Sequence, residues 1–400
     1  MTPSSALHLA VALDGTGWHP AAWREPDARP DDLFTARYWT DLAHEAERGL
    51  LDFVTIEDSL SWQSSRYQGP DDRTDQIRGR LDAVAVAARV APHTRRIGLV
   101  PTVTVTHTEP FHISKAIATL DYVSAGRAGW RVQVCASKAE AGHFGRRDIP
   151  AFRFADREQP AAAELIRDLF DEAGDYVEVV RRLWDSWEDD AEIRDAATGR
   201  FVDRGKLHYI DFAGSWFSVR GPSITPRPPQ GQPLVTALAH ATVAYRLAAR
   251  AADVVYVTPH DAEQVRTIEQ EVRTEQAAAG RDHELLHVFG DLVVFLDVDA
   301  GQAADRRARL DGLAGAGYRS DARVFSGTPA GLADLLQEWQ RAGLTGFRLR
   351  PAAIPHDLNA ITRGLVPELA RRRAFRTEYE ADTLLGLLGL HRPASRYAAV

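Results

Sequence analysis

The chain has 400 residues, 44% hydrophobic and 26% charged, with a formal net charge of -8 at pH 7. A chain of this length and apolar content buries a large core, as one big α/β barrel or two ordinary domains. Its interspersed acids and bases exclude nucleic acid and anionic membrane as partners.

Cys135 is the single cysteine, which rules out an intrachain disulfide and a cysteine-based zinc cluster. No run approaches the roughly 20 apolar residues of a membrane span, so a cytoplasmic protein is expected.

Residues 7–13 (LHLAVAL) read as a buried strand that ends in the turn signal Asp14-Gly15. The next loop gathers Trp18, His19, Trp23 and Arg24. Such a cluster suits a pocket wall, where His19 and Arg24 would contact substrate, and equally a surface loop folded onto the body. Residues 34–48 keep a helical period up to Gly49, and residues 51–57 form a second strand with Asp58 at its carboxyl end. An acid there receives hydrogen bonds from a ligand or caps a turn or helix. A polar loop over 69–80 precedes a helix over 81–90.

Residues 96–145 are the centre of the chain. A β-branched apolar run (96–105), a helical pattern (112–120) and a second short strand (128–134) make a βαβ unit. In parallel α/β folds chemistry gathers at the carboxyl ends of the strands, which singles out Thr104, Thr106, His107, Glu109, Arg131, Gln133 and Cys135. His107 and His112 are candidate acid/base groups, because neutral imidazole moves protons near pH 7. Both are equally at home as structural histidines. Cys135 reads as a small core residue or a pocket contact. Neither HExxH nor a paired His/Cys spacing occurs, and no metal site is expected.

Residues 146–160 are charged and proline-punctuated, an insertion, and 161–187 read as one long helix or two in succession. A second insertion covers 188–232 and closes with GPSITPRPPQGQP; its length fits a lid or a packing insertion. Strands follow over 234–237, 253–257, 287–297 and 346–349, with helices over 241–250 and 262–279, two more after 297, and a last one over 356–372. Thr328 as N-cap and Pro329 at the first helical position open the second of that pair.

About eight strands alternate with helices, the pattern of a (β/α)₈ TIM-type barrel spanning residues 1–400 with insertions. Two doubly wound domains split within 188–232 are the runner-up. No GxGxxG, GxxxxGK[ST] or GxSxG follows a strand, which argues against dinucleotide or nucleoside triphosphate binding and against a serine-nucleophile elbow.

Six strings tie this pattern to a known family: RIGLVPTVTVTHTEPFH (96–112), TLDYVSAGRAGW (119–130), Phe144-Gly145, YVEVVRRLWDSWEDDA (176–191), IDFAGSWFSVRGPSITPRPPQGQP (210–233) and GLVPELARRRAFRTEYEADTLLGLLGL (364–390). Together they reach across nearly the whole chain. They resemble the luciferase-like flavin-dependent monooxygenases, in the branch of nitrilotriacetate monooxygenase, pristinamycin synthase A subunits and dibenzothiophene sulfone monooxygenase. The resemblance implies a barrel that takes reduced FMN (FMNH2) from a separate NAD(P)H:flavin reductase and uses O2 to oxygenate a small substrate, commonly as a homodimer or tetramer.

Carried over by position, Asp58 and Thr104 match flavin-side residues, and His143 stands where the family usually has Asn before its Phe-Gly. Several usual contacts are replaced. The flavin-contacting Asn becomes Arg131, a Thr-Ser pair becomes Val134-Cys135, and an Arg-Tyr pair, whose tyrosine reaches the phosphate, becomes Leu169-Phe170. His240 occupies the phosphate-binding Ser position. His240, Thr242 and the amides opening that helix are the substitute cradle for the phosphate. Arg131 is placed to hold flavin oxygens or a substrate carboxylate.

The first reading is therefore an FMN-dependent two-component monooxygenase. The alternative is a barrel without flavin, or with another, deazaflavin-like cofactor, acting in the flavin-less case as a binding or assembly protein.

Overall fold

The computed structural model describes residues 6–64, 69, 71–151 and 156–398. Eight parallel strands form a closed barrel: β1 (His8–Leu13), β2 (Phe53–Ile56), β3 (Gly98–Thr104), β4 (Gly129–Gln133), β5 (Leu234–Leu238), β6 (Val254–Val257), β7 (His287–Leu296) and β9 (Gly346–Pro351). Neighbours in sequence pair from β1 to β7, β7 pairs with β9, and β9 returns to β1. A ninth strand, β8 (Arg323–Gly327), lies outside the barrel against the far half of β7. It is short and half-buried, so it carries no apolar run by which to be read in the sequence.

Alternate residues of each strand point inward. At the floor, Ala10, Phe53, Val100, Leu234, Val254 and Phe289 form one apolar cluster, closed from below by Leu384, Leu385 and Leu388. Gly98 lets this plug approach: a Cβ there would meet Leu384 Cδ1 at 2.6 Å. His287 also ties the floor to the plug, its Nε2 donating to the Leu388 carbonyl at 2.8 Å.

The helices start where the sequence supplies a cap. Thr35, Asp82, Asp261, Asp299 and Thr328 each accept an amide from the third residue of the helix they precede. Residues 161–187 resolve into one helix, Pro160–Asp185. The expected single helix over 356–372 is interrupted by a π-turn at Ile361–Leu365, next to Pro367, which has no amide to donate.

The second insertion holds two antiparallel hairpins, Glu192–Asp195 with Arg200–Val202 and Phe212–Ala213 with Ser218–Val219. In the first, residues 152–155 lie outside the described residues. No helix among the described residues is long and apolar enough to cross a membrane.

Candidate active site

Above the apolar floor the barrel is filled by charge. Arg348 and Arg350 alternate along β9 and both turn inward, while Phe347 and Leu349, on either side of Arg348, pack outward into the main core. Asp291 of β7 accepts from Arg348 Nε at 2.8 Å and from Arg350 Nε at 3.0 Å. Glu57, one residue past β2, accepts from Arg348 at 3.0 Å, from Arg131 at 2.6 Å and from Thr55 at 3.0 Å. Asp321 accepts from Arg350 at 2.7 Å.

Three guanidiniums thus meet three carboxylates. Burial alone would raise the Glu57 and Asp291 carboxyls, but the arginines around each hold both below the usual carboxylate range. Arg348 also lies over the Tyr256 ring, 4.3 Å from its centroid, and Arg350 over Trp18 at 4.5 Å.

Arg131 belongs to this layer. It donates to Thr102 at 2.9 Å, to Glu57 and to Gln133 Oε1 at 2.9 Å. Gln133 then spans the barrel mouth, its amide donating to Thr104 Oγ1 at 3.1 Å and to the Asp58 carbonyl at 3.2 Å. The Asp58 carboxylate accepts the amides of Ser59 at 2.7 Å and Ala83 at 2.9 Å, so it pins the strand-end loop to the start of the Ala83–Val90 helix. Thr104, Asp58 and Arg131 are therefore gathered at one mouth, linked through Gln133.

Beside them opens a cavity of about 320 Å³ whose walls include Ser59, Ser61, Val134, Cys135, Ser137 and Arg80. A second, of about 200 Å³, is lined by Thr106, His107, Phe144, Arg146, Arg147 and Trp216. Between the two stand His107, Cys135 and Glu140, whose side-chain nitrogen, sulfur and oxygen atoms lie within 4.8 Å of one another. The His107 ring stacks on Phe144, centroids 5.1 Å apart. Burial lowers its pKa, and burial pushes the Cys135 thiol far up.

The remaining candidates fall elsewhere. His112 is exposed on the first turn of the Pro110–Val123 helix, and His143 is exposed on the short Lys138–Phe144 helix. His19 is fully buried and uses both ring nitrogens, one with Asp311 at 3.1 Å and the other accepting the Ala21 amide. Arg24 donates to the Leu313 carbonyl at 3.1 Å and lies against Trp23. The first loop is thus held down on the body.

His240 is half-exposed, bonded to Thr258 at 3.0 Å and 3.4 Å from Asp321. Thr242 gives its hydroxyl to Glu271 at 2.5 Å. Leu169 is buried, and Phe170 packs, half-buried, against the main apolar core.

Sequence reasoning passed over Glu57, Asp291, Arg348, Arg350 and Glu140. The first four had a signal, charges inside short strands that otherwise read as buried. Glu140 had none, because its place depends on the turn after β4.

Comparison with known proteins agrees with this architecture. The luciferase-like monooxygenase family matches residues 16–323, and the chain belongs to that family; it is a flavin-dependent oxidoreductase. It is 31% identical to N-acetyl-S-(2-succino)cysteine monooxygenase of Bacillus subtilis (strain 168), over 98% of both chains. Nitrilotriacetate monooxygenase component A of Aminobacter aminovorans is 30% identical, over 100% of this chain and 99% of its own length. Among solved structures, long-chain alkane monooxygenase superposes with a TM-score of 0.84 at 23% identity, over 96% of both chains.

Proposed function

We propose that the chain is the oxygenase component of a two-component system: it takes reduced FMN from a separate NAD(P)H:flavin reductase and uses O2 to oxygenate a small organic substrate. The observation that carries this reading is the cavity of about 320 Å³ at the carboxyl ends of β2 and β4, placed directly beside Gln133, Thr104 and Asp58. Small side chains at 134–137, with Ser59 and Ser61, leave a face on which a flat ring system fits. Reduced flavin, when bound, supplies the electrons that activate O2.

The chain's own residues hold and shield that ring. Gln133 is fixed at both ends of its amide and presents a rigid polar edge, preorganised by Arg131 and Thr104. The charges of the layer beneath are matched, so the mouth has a polar floor that needs no water to satisfy it.

The phosphate end fits less well. A dianion at His240 would face Asp321, already paired with Arg350, and Glu271, with Thr258 and an imidazole whose pKa burial lowers. The residues present fit the ring and not a dianionic phosphate in the position the resemblance gives it.

Two relatives are named for carboxylate-bearing compounds, N-acetyl-S-(2-succino)cysteine and nitrilotriacetate. In the second cavity Arg146 and Arg147 are paired with Glu109 and Glu172, so it is on these names that small carboxylate-bearing thioethers and amines are the substrates to screen first. The "component A" in one relative's name supports a separate reductase. A homodimer or tetramer is proposed on the resemblance.

The test is anaerobic titration of the full chain with reduced FMN and, separately, with reduced riboflavin, followed by isotope-labelled O2 and the substrate panel. Saturable binding and label in the product are expected. Failure of both flavins to bind would remove this reading and favour the flavin-less barrel.

A further inference from the structure

The Lys138–Phe144 helix opens with Ser137-Lys138-Ala139-Glu140, the sequence of a capping box, in which the glutamate reaches back to the N-cap amide. Half of the box forms: Ser137 Oγ accepts the Glu140 amide at 3.4 Å. The other half does not. The Ser137 amide is directed to Cys135 Sγ at 3.3 Å, and the Glu140 carboxylate turns inward, 4% exposed.

There its Oε1 accepts from the hydroxyls of Ser59 and Ser61, both at 3.0 Å, while Oε2 is buried without a partner. Among the described residues no arginine or lysine forms an ion pair with it. His107 is in the same position: 6% exposed, ring held flat on Phe144, Nε2 buried without a partner. An imidazole and a carboxylate, each with one unsatisfied buried atom, thus stand with the single thiol of the chain, one donor atom of each residue within 4.8 Å of the others. Leaving such groups unpaired is costly, and a shared ligand removes the cost for all of them.

We propose that His107, Cys135 and Glu140 form a binding site for a borderline-soft divalent cation of the zinc type. Imidazole nitrogen, thiolate sulfur and carboxylate oxygen are the donors such an ion takes. The three donors come from three successive structural pieces, the turn after β3, the exit of β4 and the following helix, so the ion would bind these pieces to one another.

On binding, the Cys135 S–H bond breaks, its proton leaves to solvent and the thiolate bonds the metal. The thiolate and the Glu140 carboxylate then cancel the charge of the ion, and the buried cluster becomes neutral. With three protein ligands a fourth position stays open, on the side of the 320 Å³ cavity that Cys135 and Glu140 line. The site needs no flavin, so its test and that of the flavin reading fail independently.

The experiment is titration of the purified, untagged full chain with Co2+ alone, followed by absorbance, with Zn2+ as competitor. One ion per chain is expected, with tetrahedral visible bands and a near-ultraviolet thiolate-to-cobalt transition that Zn2+ abolishes. Cys135→Ala should lose the sulfur transition, and His107→Ala and Glu140→Gln should each weaken binding by at least about tenfold, no less than losing a hydrogen-bond partner of a metal ligand costs. His283→Ala, an exposed histidine elsewhere, should change nothing.

The absence of stoichiometric binding in the wild-type chain, or a cobalt complex without the sulfur transition, would overturn the site. Both are read on the unmodified protein, so the result stands even where a variant does not fold.

Discussion

Arg348 is fully buried, yet every one of its charged contacts is accounted for by Asp291 and Glu57. Pairs of this kind add little over a well-packed apolar core, but removing one partner strands the other. Asp291→Asn is therefore expected to cost about 3–5 kcal/mol in urea unfolding, because two guanidiniums lose their shared carboxylate. Asp58→Ala should cost about 1 kcal/mol, the worth of the first-turn amide of the Ala83–Val90 helix that it accepts in addition to the Asp82 cap. At this scale the sequence was only partly legible. Asp58 and Thr104 could be placed from their positions at strand ends, and both lie at the mouth. Arg131 looked like a ligand contact, but which partners a buried arginine meets depends on strands far away in the chain. His19 could not be assigned either, since Asp311 comes from a helix whose packing no local pattern specifies.

Among the elements, all eight barrel strands were legible because each is a short stretch with alternating or continuous apolar residues between turn signals, and the helix at Pro329–Ala342 because Thr328-Pro329 announces it. The plug was not. Leu384–Leu387 is one turn of helix, too short to show a period, and its significance comes from the floor it covers. Leu384→Ala is expected to cost about 2–5 kcal/mol, as a fully buried leucine whose removal leaves a cavity against Phe53 and Gly98.

His287 adds a pH dependence to the same contact. Burial brings its pKa down from 6.5 to about 4. The unfolded chain therefore binds the proton more readily across that interval, and this contribution is complete above about pH 6.5 and lost as pH falls towards 4, roughly 3 kcal/mol in all. Asp121, raised to about 6 by burial, acts in the opposite sense. His287→Leu isolates the histidine: its stability, measured by urea unfolding across pH 4–7, should vary less steeply with pH than that of the wild type, by at most about 1.4 kcal/mol per unit.

For the whole molecule, the barrel and its family follow from the alternation of strands and helices together with strings spread along the chain. The cofactor's two ends separate here. In the proposed site Asp58, Thr104 and Gln133 are gathered where the ring would lie, whereas carboxylates stand near His240, where the phosphate would lie. Reduced riboflavin is accordingly expected to bind within about tenfold of reduced FMN, a difference of no more than about 1.4 kcal/mol; a preference for FMN of a thousandfold would show that the phosphate has a cradle of its own. The metal cluster is the least legible feature. Its three donors are separated in sequence by turns, and only the failure of a capping box at Ser137 brings the carboxylate to the other two.

The pairing of β1 with β9 also bears on how the protein is made. His8 hydrogen-bonds next to Gly346 and Leu9 next to Phe347, so the first strand has no final neighbour on that side until the last has been synthesised. During translation the growing sheet has an open edge and its floor lacks the leucine plug. Strands whose partners are this distant in sequence assemble slowly and leave apolar surface exposed meanwhile. The nascent chain is thus a natural client for chaperones, and its yield in a cell should depend on their supply more than the stability of the finished barrel would indicate.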